Sequence, residues 1–198
     1  MSDLLIRDVR LVAPGRSIFP GDALIRDGRI AALGKIGTNH SPGTRIIEGR
    51  GRLLTPGLID IHTHGIKDCL YEDGAEGIKK GARSLGEFGV TTVLPTLIPK
   101  ITDAWLDTVR EATDMLPTIK EVNIPGIHIE GPFMAVGGAA CPTLPGDLAL
   151  LDRILSASNG RLAAMSLSPD APDIVPVIHR LRERGIPVFL THTRATAE

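Results

Sequence analysis

Apolar positions recur along this chain with two different periods, and the change falls at Thr55-Pro56-Gly57. Before that point the apolar runs are short and broken by charges, as in residues 4–12, where Arg7, Asp8 and Arg10 are interspersed. Ala23-Leu24-Ile25 and Ile30-Ala31-Ala32-Leu33 flank Asp27-Gly28, a pair that suits a two-residue hairpin turn. Residues 37–43 read as a polar loop, and Ile46-Ile47 and Leu53-Leu54 as further short strands. After the change, apolar runs at 58–62, 90–94, 124–129, 162–167 and 186–190 alternate with stripes of helical spacing. Ile78, Ala82, Leu85 and Gly89 form one stripe; Trp105, Val109, Ala112 and Leu116 form the next, with Thr102 as its N-cap and Pro117 as its stop. Leu148, Leu151 and Leu155 make a third, closed by Asn159-Gly160. Ile174, Val177, Ile178 and Leu181 make a fourth, with Asp173 placed to cap it and Pro176 tolerated in its first turn.

Strand and helix units repeating about every 30 residues predict a parallel sheet wrapped by helices. The strands are apolar on both faces, as a doubly covered sheet requires. Three of them carry metal-type residues at their C-terminal ends, which favours a closed barrel over an open sheet, because a barrel gathers those ends on one rim. A whole barrel takes about 250 residues. The expected fold is therefore an α/β, incomplete (β/α)8 TIM-type barrel of about five strands at 57–198, preceded by a small β-sandwich-like domain at 1–56. On this reading the chain is the N-terminal portion of a longer protein, with unpaired sheet edges.

Composition narrows the partners. Apolar residues make up 42% and charged residues 23%, with a formal net charge of −1, so neither nucleic acid nor a membrane surface is expected as a partner. Aromatic residues at 3% are too few for stacking platforms. No run approaches the roughly 20 apolar residues of a bilayer span, and Met1-Ser2-Asp3-Leu4 does not open a signal peptide. Two cysteines, Cys69 and Cys141, lack metal-type spacing and suit a reducing, cytoplasmic setting.

The chemistry concentrates in Asp60-Ile61-His62-Thr63-His64-Gly65. Side chains alternate along a strand, so His62 and His64 share a face at the strand end while Ile59 and Ile61 turn the other way, into apolar packing. Two imidazoles so placed suit a divalent metal. Asp60, on the same face, is a candidate to stand behind the ligands, fixing a tautomer or the local backbone, or serving as a plain structural acceptor. Glu130, in Gly126-Ile127-His128-Ile129-Glu130-Gly131-Pro132, ends another strand, and a carboxylate aimed into a barrel is costly to bury without a cation or hydrogen bonds. His128 lies one pleat deeper, as support for the ligands or as core. His192 ends the last strand and joins the same rim, while His40 and His179 read as surface residues.

Taken together, Pro56-Gly57-Leu58-Ile59-Asp60-Ile61-His62-Thr63-His64-Gly65 resembles the signature of the amidohydrolase superfamily. The segment Gly89-Val90-Thr91-Thr92, the run from Gly126 to Phe133, Leu167-Ser168-Pro169-Asp170 and His192-Thr193-Arg194-Ala195-Thr196 resemble its N-acetylglucosamine-6-phosphate deacetylase branch. The resemblance implies hydrolysis of the acetamide of a small-molecule amino-sugar phosphate, with release of acetate. It implies one or two divalent ions, zinc first and iron or manganese as alternatives, with Glu130 and His192 holding one ion and His62 and His64 a second that Glu130 bridges. It also implies a homo-oligomer for the complete protein, with the catalytic base and most phosphate contacts past Glu198. One stretch departs from the pattern: Gly137-Gly138-Ala139-Ala140-Cys141-Pro142 lacks the histidine with which the family contacts substrate. A different N-acyl or cyclic amide is the alternative substrate, and a non-catalytic remnant the alternative role.

Overall fold

The computed structural model describes residues 3–138 and 140–196; Met1, Ser2, Ala139, Ala197 and Glu198 lie outside the described residues. Two compact units divide between Pro56 and Gly57.

In the first unit, β1 (Leu4–Ala13), β2 (Ser17–Arg26), β3 (Arg29–Gly34) and β4 (Arg45–Leu54) form one sheet in the order β3-β2-β1-β4, a β-rich unit where the sequence predicts a small sandwich-like domain. Arg26 pairs with Arg29 across Asp27-Gly28, whose φ values of 50° and 72° are the two left-handed conformations a tight hairpin needs. The two short strands expected around Ile46 and Leu53 are one strand: an irregularity at Arg50-Gly51, both with positive φ, lets β4 run on beside β1. The register of β1 shifts between Ile6 and Val9, where Asp8 takes φ 54°. Asp22 holds that kink. Its carboxylate accepts the Asp8 N–H (3.0 Å) through one oxygen and the Ile36 N–H (3.0 Å) through the other.

The second unit carries five parallel strands: β5 (Leu58–Thr63), β8 (Val90–Leu97), β9 (Ile127–Glu130), β10 (Leu162–Leu167) and β11 (Val188–Leu190), adjacent in chain order. A small hairpin, β6 (Gly65–Ile66) and β7 (Cys69–Leu70), follows β5 directly. Helices α1 (Ala75–Glu87), α2 (Asp103–Met115), α3 (Leu148–Ala157) and α4 (Ile174–Glu183) fill the crossovers. Their buried stripes, including Ile78, Ala82, Val109, Ala112, Leu151, Ile154, Val177 and Leu181, join Val93, Leu97, Ile127, Ile129, Met165 and Leu167 in one core. None of the described helices is long and apolar enough to cross a membrane.

Helix ends follow the expected chemistry with one exception. Thr102 accepts the Trp105 N–H (3.1 Å), and Pro117 sits in a 3-10 turn that stops α2. Asp173 does precede α4, but its φ of 55° is left-handed and its side chain makes no cap hydrogen bond. An N-cap reaches the N2 or N3 amide from extended backbone, which that conformation denies. Leu148 at the start of α3 is exposed, and the buried stripe runs instead through Leu150, Leu151, Ile154 and Ala157.

The expectation that Ile59 and Ile61 turn into apolar packing is overturned, since they are 69% and 48% exposed. Period 2 places them opposite the imidazoles, but β5 pairs only with β8 and is an edge strand of this sheet. Ile129, in the central strand β9, occupies the equivalent face and is fully buried.

Candidate metal centre

Strands two apart in a sheet lie about 10 Å from one another, yet residues from β5, β9 and the segment after β11 meet at one carboxylate. The inward-facing side chains therefore converge on a concave surface. Glu130, at the end of β9 and 4% exposed, is the focus. One of its oxygens, Oε2, lies 2.9 Å from His64 Nε2 and 3.5 Å from His62 Nε2. The other, Oε1, lies 3.2 Å from His192 Nε2. The ligand atoms of His62, His64 and Glu130 all fall within 4.8 Å of one another, a spacing that suits one metal ion. His192 approaches from the opposite side of the carboxylate and is outside that tight group.

Neighbouring groups settle the tautomers. His64 Nδ1 faces the Thr96 carbonyl at 3.2 Å, and a carbonyl only accepts, so Nδ1 carries the proton. In the neutral form of that tautomer, His64 would present the lone pair of Nε2 to the Glu130 oxygen 2.9 Å away. Two acceptors at that distance repel unless a proton or a cation lies between them. The buried Oε2 correspondingly receives no hydrogen bond. This orphaned oxygen, with two imidazole nitrogens beside it, makes a donor set that could hold a divalent cation. Burial raises the Glu130 pKa, but His62, the hydrogen bond from His192, and His64 outweigh it, so the carboxyl is held below its usual range and stays ionised.

The two candidate supporting residues have defined places. Asp60 accepts the main-chain N–H of His62 (3.1 Å) and so holds the strand end. His128 is fully buried; its Nδ1–H donates to the Ile61 carbonyl (3.0 Å), and its Nε2 accepts from the Ser166 hydroxyl (2.8 Å). Both ring nitrogens are thus engaged, and the ring packs edge-on against His62 with centroids 4.8 Å apart. Burial, the largest influence, pulls the His128 pKa down to about 4, so the ring is neutral near pH 7.

Several supporting residues escaped the sequence reading. Thr96 supplies the carbonyl for His64 and, through its hydroxyl, an acceptor for the Thr63 N–H (3.1 Å). Ser168 is fully buried, accepts the Ala135 N–H (2.9 Å), and has the carbonyls of His192 (2.7 Å) and Thr191 (2.9 Å) within reach of its one proton. His192 itself has a left-handed φ of 48° and its carbonyl also accepts the Val136 N–H (3.1 Å). A Cβ at Gly138 would come within 2.7 Å of the His192 ring, so a larger residue there would push the ring or the loop aside. Cys141, in the same loop, donates its thiol to the Glu130 carbonyl (3.4 Å), and burial followed by the nearby Glu130 charge pushes its pKa up to about 11. Ser168 lies in the Leu167-Ser168-Pro169-Asp170 motif that carries the resemblance, and Thr96 near a strand end, but the sequence reading gave neither a role at the site.

The amidohydrolase family profile matches residues 53–173. The chain belongs to the amidohydrolase family. It is 28% identical over 202 residues to the N-acetylglucosamine-6-phosphate deacetylase of Lysinibacillus sphaericus, covering 98% of this chain and 51% of that protein. It is 28% identical over 182 residues to the N-acetylgalactosamine-6-phosphate deacetylase of Escherichia coli O157:H7, covering 87% of this chain and 46% of that one. The crystal structure of the N-acetyl-D-glucosamine-6-phosphate deacetylase from Mycobacterium smegmatis superposes with a TM-score of 0.77 at 22% identity, over 99% of this chain and 55% of that one, and so shares the fold. This chain spans about half the length of the curated relatives it matches.

Proposed function

We propose that this amidohydrolase chain carries the cation-binding part of a deacetylase that hydrolyses the acetamide of N-acetylglucosamine 6-phosphate to glucosamine 6-phosphate and acetate. The observation that carries the reading is the buried Glu130 oxygen that faces His64 and His62 without a hydrogen bond. His62, His64 and Glu130 would hold the divalent ion, zinc or else iron or manganese, with His192, whose Nε2 lies 3.2 Å from the other carboxylate oxygen, as the further ligand. A cation bound there supplies Lewis acidity, lowering the pKa of a water and polarising an amide carbonyl. The protein's own part is to present lone pairs without rearrangement. Thr96 keeps the His64 proton on Nδ1, Asp60 holds the His62 backbone, and His128 braces the His62 ring.

Deacetylases of amino-sugar phosphates match this chain along almost its whole length, which supports that substrate class. Ala140, in the stretch where the resemblance expects a substrate-contacting histidine, favours a second reading, hydrolysis of a different N-acyl or cyclic amide.

Metal analysis of the purified protein, with acetate release from N-acetylglucosamine 6-phosphate and from its galactosamine epimer, tests the reading. Bound metal near stoichiometry is expected in this chain and acetate release from the glucosamine substrate in the complete protein that also supplies the catalytic base, and both are lost in Glu130→Gln, which keeps volume but removes the charge. Metal binding with turnover of only a cyclic amide would move the assignment to the second reading. A protein that takes up no divalent metal would overturn both.

A further inference from the structure

The far side of the His64 ring carries a second carboxylate that the proposed site does not use. Gly65-Ile66 and Cys69-Leu70 form a tight hairpin, with Lys67 in the left-handed region, that folds the chain back over the end of β5. Gly65 is required there, since a Cβ would meet the Cys69 carbonyl oxygen at 2.0 Å. Behind the hairpin, Tyr71–Asp73 forms a single 3-10 turn tied directly to the site, because the Tyr71 N–H donates to the His64 carbonyl (3.0 Å). The Tyr71 side chain is fully buried against Gly81, where a Cβ would come within 2.6 Å of the ring, so the turn is anchored from both sides. Glu72 is the middle residue of this turn. Its Oε1 is sealed from solvent, receives no hydrogen bond, and lies 3.7 Å from His64 Nδ1. The Glu72 side chain as a whole is only 20% exposed.

Across one imidazole the order is therefore Glu72 Oε1, His64 Nδ1, His64 Nε2 and Glu130 Oε2. Leaving a carboxylate oxygen buried and unpaired costs free energy unless something draws on it. His64 Nδ1 lies 3.7 Å from it, and its proton goes to the Thr96 carbonyl at 3.2 Å in the present arrangement. We propose that Glu72 is a positioning residue of the cation site: its carboxylate, 3.7 Å from His64 Nδ1, stabilises by charge the Nδ1–H that the Thr96 carbonyl accepts, holds the ring in that tautomer, and makes Nε2 a stronger donor to the ion. The inference rests on the proposed cation site and deepens it. A carboxylate behind a metal-bound imidazole has this effect because its charge polarises the N–H and leaves electron density on the ring, and its loss typically weakens metal binding 10- to 100-fold.

The test uses the whole chain, metal-free, titrated with Zn2+ and with Co2+, in unsubstituted form and as Glu72→Gln, Glu72→Ala and Glu130→Gln. The expected result is Zn2+ affinity about tenfold lower or more in both Glu72 variants, with the urea midpoint of the metal-free chain unchanged. The Co2+ visible spectrum should keep its intensity, and so its coordination number, while its bands shift. Affinity within twofold of the unsubstituted chain in both variants would overturn the role of Glu72 and leave the cation site standing. Loss of metal-free stability in step with affinity would overturn it in favour of a structural role, and a changed Co2+ coordination number in favour of direct ligation. No binding by the unsubstituted chain would overturn the site and the inference together, and abolition in Glu130→Gln alone would identify the site while removing Glu72 from it.

Discussion

Ser168→Ala is expected to be far more damaging than its size suggests. The hydroxyl lies in a fully buried position and does two things at once, accepting the Ala135 N–H at 2.9 Å and donating to the His192 carbonyl at 2.7 Å. Removing it leaves the amide of Ala135, an exposed residue, without that acceptor, at a cost of about 0.5–1.5 kcal/mol for a part-buried hydrogen bond. The lost donor matters less, since the His192 carbonyl keeps the Val136 N–H at 3.1 Å, and about 0.5 kcal/mol is a fair share for a bond only partly lost. A total of about 1–2 kcal/mol follows. The reporter is built in: Trp105 is the only tryptophan and is packed in the core of the second unit, so its fluorescence follows unfolding of the unit that contains Ser168. With a urea m-value of about 2 kcal/mol/M, the midpoint should fall by about 0.5–1 M. Because the hydroxyl also anchors the left-handed backbone of His192, metal affinity should fall too, though no proposed ligand is touched. A midpoint within 0.2 M of the unsubstituted chain would show, at about the resolution of such measurements, that the Ser168 hydroxyl supports neither the loop nor His192.

Two further outcomes follow from single contacts. Gly138→Ala places a methyl 2.7 Å from the His192 ring, and since residue 138 is exposed the ring or loop must give way; a several-fold loss of metal affinity with little loss of stability is expected, and unchanged affinity on titration would refute the packing argument. In the first unit, burial raises the Asp22 pKa, but the amides of Asp8, Ile36 and Gly37 outweigh it and lower it overall. Its stabilising contribution is therefore present above the ordinary carboxylate range, about pH 4, and lost as the pH falls through the lower folded value. Asp22→Asn should remove about 1 kcal/mol at neutral pH and little at pH 2, read as faster hydrogen exchange at Asp8 and Ile36; equal effects at both pH values would refute the charge assignment.

Much of the second unit was legible because its signals are local. Period 2 alone assigns His62 and Glu130 to one face and Ile61 and Ile129 to the other, and the helical stripes of Trp105, Val109 and Ala112 or of Ile78, Ala82 and Leu85 are the buried ones. Gly-containing turns were equally readable, since Asp27-Gly28 carries the positive φ values that its turn demands. Asp173 was misread because a cap depends on backbone conformation, and the residue type does not report that its φ is 55°.

What the sequence by itself determined, then, is which side chains share a face and where strands and helices begin, because those depend on bond geometry repeated along a few residues. Only the tertiary structure decided what each face meets. Ile61 and Ile129 obey one rule of alternation, yet one is exposed on an edge strand and the other is sealed in the centre of the sheet. Sheet curvature brings His62, His64 and His192 to a single carboxylate across four strand spacings, and a hairpin of six residues folds Glu72 behind His64. Those contacts depend on strand order, on curvature and on how the chain folds back, which are long-range properties that no local period encodes.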